Sequence, residues 1–180
     1  MKKIFTIIIA SLLSFGTELN AQDAYPQEGD LLIHAGVGVG GFGLIGFGSW
    51  PMLGITGEYI ILNDLAGAGI GSLGIGATVA FKRYRPNLFD NFAFTRYFFA
   101  PRALVHFDVG GDELDLYAGV QIGFGVWIDS TSEGFEAPTG LSVVPGIVAG
   151  ANYYFNDRFG AFGEISVSLS RINAGFAFKL

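Results

Sequence analysis

The chain has 180 residues, of which 51% are hydrophobic and only 14% are charged, and its formal net charge is −6. The length fits one domain, and the negative charge disfavours general binding to nucleic acid. Because the chain has no cysteine, it can form no disulfide, thiol nucleophile or thiolate metal site.

Residues 1–21 have the pattern of a secretory signal peptide. Lys2 and Lys3 give a positive start, a mostly apolar run follows, and Ala21 offers a small residue for cleavage. The alternative is an uncleaved membrane anchor, although the run is short for a helix of about 20 residues that spans a bilayer. We therefore expect a signal peptide over 1–21 and one exported domain over 22–180.

The expected domain is rich in short segments that alternate between apolar and small or polar residues. This period of two predicts β-strands. No later segment is long and apolar enough to predict a transmembrane helix. The eight predicted strands are residues 31–40, 52–61, 70–81, 97–108, 114–127, 143–155, 159–167 and 171–180.

Short and long connections alternate between the predicted strands. Tight-turn signals occur at Asn63-Asp64, Gly110-Gly111-Asp112 and Asn156-Asp157. Longer loops are predicted over residues 41–51, 82–96 and 128–142, and a very short link near 168–170. Outer-membrane barrels have this asymmetry, with short periplasmic turns and longer external loops.

The fifth predicted strand shows the two faces most clearly. Leu114 and every second residue to Val126 are apolar, whereas the other face carries Asp115, Tyr117 and Gln121 among glycines. A uniformly apolar face opposite a mixed polar face predicts a lipid-facing exterior and a polar lumen. A soluble lipocalin-type barrel would reverse this arrangement, and a β-sandwich with ordinary core aromatics is a second alternative.

The last predicted strand ends with Gly175-Phe-Ala-Phe-Lys-Leu180. This ending and the strand pattern resemble the small eight-stranded outer-membrane proteins of the OmpA membrane-domain and OmpX type. The resemblance implies an all-β, eight-stranded antiparallel up-and-down transmembrane β-barrel, monomeric and located in the outer membrane. It also implies that Gly175, Phe178 and Leu180 form the signal for the barrel-assembly machinery, with Ala174 where that pattern has a polar residue.

The inward positions of the predicted strands collect ionisable side chains. An eight-stranded barrel is only just wide enough for its interior side chains, and buried charges need partners. We therefore predict a polar salt-bridge network that fills the lumen, with a gated polar path or a binding site as alternatives. The predicted network comprises Glu58, Lys82, Arg102, His106, Asp115 and Glu164, with His34 and Lys179 as further inward groups.

Sites for chemistry are not indicated by the sequence. The alternating Gly36, Gly38 and Gly40 do not precede a helix that could bind phosphate, and inward glycines would instead leave room for larger side chains opposite. The two histidines, His34 and His106, show neither a His-x-Ser pair nor a metal-ligand spacing. We predict no enzymatic activity, and no catalytic, cofactor-binding or metal-binding residues.

The predicted external loops carry opposite charges. Arg83, Arg85 and Arg96 lie among aromatic residues and could contact lipopolysaccharide, or they could form a solvated loop with interfacial anchors. The 128–142 loop carries Asp129, Glu133 and Glu136, and a solvated acidic loop is the favoured interpretation over a partner or cation site. We expect a structural or surface-interaction role, and the alternative is a narrow channel or binding barrel for small or lipophilic solutes.

Overall fold

The computed structural model describes residues 25–40, 48–65, 71–85, 94–107, 109, 113–129 and 140–180. Nine β-strands lie in this part of the chain. They are β1 Leu31–Val39, β2 Gly48–Ser49, β3 Met52–Leu62, β4 Ser72–Arg85, β5 Phe94–Phe107, β6 Leu114–Asp129, β7 Leu141–Tyr154, β8 Phe159–Ser166 and β9 Ile172–Lys179.

The eight longer strands form a closed antiparallel barrel. Each pairs with its sequence neighbours, and β9 pairs with β1 in a register that runs from Leu32 opposite Lys179 to Val39 opposite Ile172. Closure leaves the sheet without an open edge along this seam, which matters because unpaired backbone groups in lipid each cost several kcal/mol. The predicted fold class, an eight-stranded up-and-down barrel, is confirmed.

The exterior of the barrel is an apolar belt. Apart from tyrosines, the polar side chains at described outward positions of the eight longer strands are Arg83 and Thr95, and these two residues pair at one end of the barrel. Water would solvate such a surface poorly, whereas the hydrocarbon of a bilayer suits it. Exposed members of the belt include Ile55, Val79, Phe99, Val120, Ile147, Ile165 and Phe176.

Aromatic side chains gather near both ends of this belt. At the end with the tight turns, the ring of Phe159 lies 5.7 Å from Phe155 and 5.2 Å from Phe178. At the other end, the rings of Phe81 and Tyr97 lie 6.3 Å apart on paired strands. Two such girdles are typical of barrels whose ends lie at the two membrane interfaces.

The barrel wall is taller on one side. Strands β4 to β7 contain 14 to 16 residues each, whereas β1, β8 and β9 contain eight or nine. The sequence placed a loop over residues 82–96, but β4 continues to Arg85 and β5 begins at Phe94, where Tyr84 pairs with Phe94. The unpredicted β2 adds to the same wall, since Ser49 pairs with Tyr84. Beyond the apolar belt these strands contain polar residues, because water can solvate polar side chains there.

The turns also follow local chemistry. Asp64 adopts a left-handed conformation with φ of 54°, as the Asn63-Asp64 signal suggests. In the β7–β8 turn, Asn156 Oδ1 accepts hydrogen bonds from the backbone N–H groups of Arg158 and Phe159. The Gly110-Gly111-Asp112 signal lies outside the described residues. Among the residues that the structure describes, no helix has the length and apolar character to span a membrane.

Candidate functional site

The lumen of the barrel brings together most of the ionisable side chains predicted to lie there. Alternation along each strand directs them inward, and the narrow barrel stacks them in layers between the tight-turn end and the external end. His34, Glu58, Lys82, Arg102, His106, Asp115, Glu164 and Lys179 are all buried.

The layer nearest the tight-turn end is centred on His106, which has no exposed surface. Its Nε2 lies 3.0 Å from Glu58 Oε1, and its Nδ1 lies 2.9 Å from Asp115 Oδ1. Asn152 donates a further hydrogen bond of 2.7 Å to Asp115 Oδ2. An imidazolium can donate from both ring nitrogens, so the arrangement offers a donor to each carboxylate.

A glycine on β4 makes the contact between Glu58 and His106 possible. Glu58 lies on β3 and His106 on β5, so the glutamate must reach across the strand between them. A Cβ added at Gly74 would collide with Glu58 Oε1. The bare backbone of this glycine is therefore the surface over which the side chain passes.

The next layer is held by an ion pair between Arg102 and Glu164. The Arg102 Nη2 lies 2.7 Å from Glu164 Oε2, and both side chains are buried. Glu164 also accepts hydrogen bonds from Tyr117 Oη at 3.3 Å and from Asn173 Nδ2 at 2.9 Å. These extra donors satisfy the carboxylate, which a buried ion pair requires if its desolvation is to be offset.

Apolar packing closes the lumen above this ion pair. The link between β8 and β9 turns inward, and Leu169 packs with Met52, Ala80, Phe98 and Ala100. A cavity of about 30 Å³ remains beside the layer, lined in part by His34, Thr56, Thr78, Gln121, Glu164 and Asn173. This volume has room for about one or two water molecules.

A second group of charges lies toward the external end, in what we call the outer vestibule: Lys82, Tyr84, Arg96, Phe98 and Trp127. The Arg96 guanidinium lies over the rings of Phe98 and Trp127, with Cζ 4.8 and 4.9 Å from their centroids. Lys82 Nζ lies 5.4 Å from the Tyr84 ring centroid. The two cations are thus surrounded by aromatic faces, which attract positive charge.

The structure separates the predicted site residues into different places. Lys82 does not join the carboxylate network but lies in the outer vestibule. Arg96, predicted to face lipopolysaccharide, points into the lumen because β5 already includes it and period-two alternation turns it inward. Arg83 lies on the outward face and is half-buried. Asp129 was predicted to lie in a loop, but it ends β6. The side chains of Arg85 and Asp129 are not described, and Glu133 and Glu136 lie outside the described residues.

The residues predicted as an assembly signal lie in and beside the closing strand. Gly175 pairs with Gly36 of β1, where an added Cβ would collide with the backbone oxygen of Ala35. Phe178 pairs with Phe159 of β8, and the backbone of Leu180 exchanges hydrogen bonds with Leu31.

Sequence reasoning missed the neutral partners of the network. Tyr117 and Asn152 are buried, and Asn173 donates to Glu164, yet none of the three was selected. All three lie at inward positions beside carboxylates, so alternation along their strands could have identified them as members of the network. Among the described residues, no group of three or more His, Asp or Glu side chains is arranged to hold a metal ion.

Comparisons with known proteins show where this architecture occurs. No protein-family model matches the chain, and no curated protein sequence matches it. The outer membrane protein OprG of Pseudomonas aeruginosa superposes with a TM-score of 0.60 at 12% identity, covering 88% of this chain and 99% of that one. The Yersinia pestis outer membrane protein Ail, in a phospholipid bilayer nanodisc, gives a TM-score of 0.51 at 14% identity, covering 85% and 100%. The chain therefore has the fold of the small eight-stranded outer-membrane β-barrel proteins.

Proposed function

We propose that this protein is an integral outer-membrane barrel with a sealed lumen, whose role is structural or in surface interaction. The single observation that carries this proposal is the filling of the lumen. Two polar layers and the apolar packing around Leu169 occupy the described lumen, and the cavity beside them measures about 30 Å³. A barrel filled in this way supports a rigid membrane anchor better than a transport path.

The membrane assignment rests on the apolar belt. Its side chains have no protein partner on the outside, and the polar groups lie inside or at the ends. The fold shared with OprG and Ail agrees with this assignment. Export through a cleaved signal peptide over residues 1–21 and a monomeric state belong to the same proposal, and sequencing the mature amino terminus tests the cleavage.

The external end of the barrel carries the residues that support a role in surface interaction. Arg83 lies on the outward face next to Thr95 and close to the girdle residues Phe81 and Tyr97. A guanidinium at this level suits the phosphate groups of lipopolysaccharide, with Arg85 as a second candidate. Membrane lipid, lipopolysaccharide and the barrel-assembly machinery are the partners of this proposal, which includes no nucleic acid and no enzymatic activity.

Ion conductance tests the sealed lumen. We expect the purified protein, reconstituted in a planar bilayer, to show no channel openings above the lipid baseline, because side chains fill the described lumen beside a cavity of about 30 Å³. A general porin in the same bilayer provides the positive control. Folding of the reconstituted protein is checked by heat-modifiable mobility on gels.

The second candidate function is a narrow channel, favoured by the polar side chains that line the small cavity. Steady conductance from the folded wild-type protein would support this candidate and contradict the sealed scaffold. A silent bilayer, with folded protein present, would leave the channel without support.

A further inference from the structure

Two buried cations face each other in the outer vestibule. Lys82 and Arg96 are direct partners in the ladder between β4 and β5, and both side chains point into the lumen. Their exposed fractions are 5% and 6%. Like charges at directly opposite positions on paired strands are destabilising unless a counter-charge compensates them.

The described surroundings of these cations contain dipoles and rings but no counter-charge. Lys82 Nζ donates to the backbone oxygen of Gly40 at 3.0 Å. Arg96 Nη2 donates to Ser142 Oγ, its guanidinium also hydrogen-bonds the Tyr84 hydroxyl, and it lies over the rings of Phe98 and Trp127. The ion pairs found among the described residues involve Arg102 and His106 only.

The charges of the lumen are therefore segregated along its axis. Glu58 and Asp115 contact His106, and Glu164 contacts Arg102. All these residues lie on the tight-turn side of the apolar layer around Leu169. These carboxylates are already engaged with other cations. Buried charges are normally paired, so two neighbouring cations with no carboxylate partner among the described residues indicate a place for an anion.

We infer that the outer vestibule binds a small phosphate-class oxyanion, with Lys82 and Arg96 as its charged ligands. A phosphate dianion would match the two positive charges, and its several acceptor oxygens would use N–H donors that Gly40, Ser142 and Tyr84 leave open. The Arg96 guanidinium is positioned by its contacts with the Phe98 and Trp127 rings. Gly125 leaves room for it, because a Cβ added at Gly125 would lie 2.8 Å from Arg96 Nε.

This site goes beyond the sealed scaffold, because a ligand in the vestibule need not pass the layer around Leu169. The phosphate could be free in solution, or it could belong to a lipid headgroup. Both sources present the same oxyanion, so the site is defined by its two cations and its aromatic walls.

Calorimetric titration with inorganic phosphate tests the site. The folded protein in phosphatidylcholine nanodiscs is titrated at constant ionic strength in a phosphate-free buffer. We expect saturable binding, and an affinity loss of at least about tenfold in Lys82→Gln and in Arg96→Gln, since each removes a charge-assisted hydrogen bond. In a Trp50→Phe background, phosphate is also expected to change the emission of Trp127, the remaining tryptophan.

The chain offers a control in Arg158→Gln. Arg158 is exposed in the β7–β8 turn at the opposite end of the barrel, so we expect removal of its charge to change affinity by less than about twofold. Lys82→Arg keeps the charge and is expected to retain saturable binding, which separates loss of the ligand from loss of the fold. An equal loss of affinity in Arg158→Gln would overturn the inference.

A second titration identifies the source of the phosphate. Phosphatidic acid replaces part of the phosphatidylcholine, and no inorganic phosphate is added. A change in Trp127 emission that Lys82→Gln abolishes would assign the site to a lipid phosphate, whereas a response to inorganic phosphate alone would assign it to a free anion. A protein that responds in neither titration would contradict the site.

Discussion

Replacing Arg102 by methionine is expected to lower the free energy of unfolding by about 3–5 kcal/mol, because it leaves Glu164 as an uncompensated buried charge. The Arg102–Glu164 pair is the only direct contact between an arginine and a carboxylate inside the described part of the barrel. Equilibrium unfolding in urea, with the protein folded into lipid vesicles, measures the change. Heat-modifiable mobility on gels provides an independent measure of the folded barrel.

A double-mutant cycle separates the ion pair from packing. Glu164→Gln keeps an acceptor for Tyr117 and Asn173. The double variant Arg102→Met with Glu164→Gln should therefore lose less unfolding free energy than the sum of the losses in the two single variants. Arg83→Met removes an arginine from the outward face and is expected to cost less than about 1 kcal/mol. If Arg102→Met left both the unfolding midpoint and the gel mobility unchanged, the lumen network would not be a stabilising element.

Deleting residues 172–180 is expected to abolish insertion of the barrel into membranes. The strand β9 pairs with β1 over eight residue pairs and with β8 over seven. Without it, the facing backbone groups of β1 and β8 would lie unpaired in hydrocarbon, at several kcal/mol for each group. Membrane fractionation and resistance to external protease measure the outcome in cells.

A variant that keeps the backbone separates closure from the proposed assembly signal. Phe178→Ala combined with Leu180→Ala retains the pairing of β9 but removes the two apolar side chains of that signal. We expect this variant to refold into vesicles in vitro but to assemble slowly in cells. Normal insertion of the 172–180 deletion would contradict the closing role of β9, and normal assembly of the double variant would contradict the signal.

Most of the fold follows from period-two alternation in the sequence. Over β6, alternate residues from Leu114 to Val126 are apolar, so the inward positions of Asp115, Tyr117 and Gln121 could be predicted without knowing the neighbouring strands. A lipid-facing belt strengthens this signal, because hydrocarbon tolerates few polar exceptions on one face. The strand count and the antiparallel order follow in the same way.

The partners within the lumen could not be predicted from alternation. The contact between Glu58 and His106 spans two strands that are not adjacent, and it depends on strand stagger and on the bare backbone of Gly74. The prediction for Arg96 was wrong for a different reason. Above the belt, water solvates polar residues, so hydrophobic alternation fades although β4 and β5 continue to pair. The ends of β4 and β5 were therefore predicted to be a loop, and the inward direction of the Arg96 side chain was not predicted.

The central claim is that the apolar face of this barrel lies in lipid while its polar face fills a closed interior. The chain has no native cysteine, so single cysteines can carry a spin label at Val120 or Gln121, adjacent residues of β6 that are 58% and 4% exposed. In vesicles, we expect the label at Val120 to collide often with oxygen and rarely with a water-soluble nickel chelate, since oxygen concentrates in hydrocarbon. The label at Gln121 should be shielded from both reagents. Frequent collisions of the nickel chelate at Val120 would place this face in water and contradict the membrane barrel.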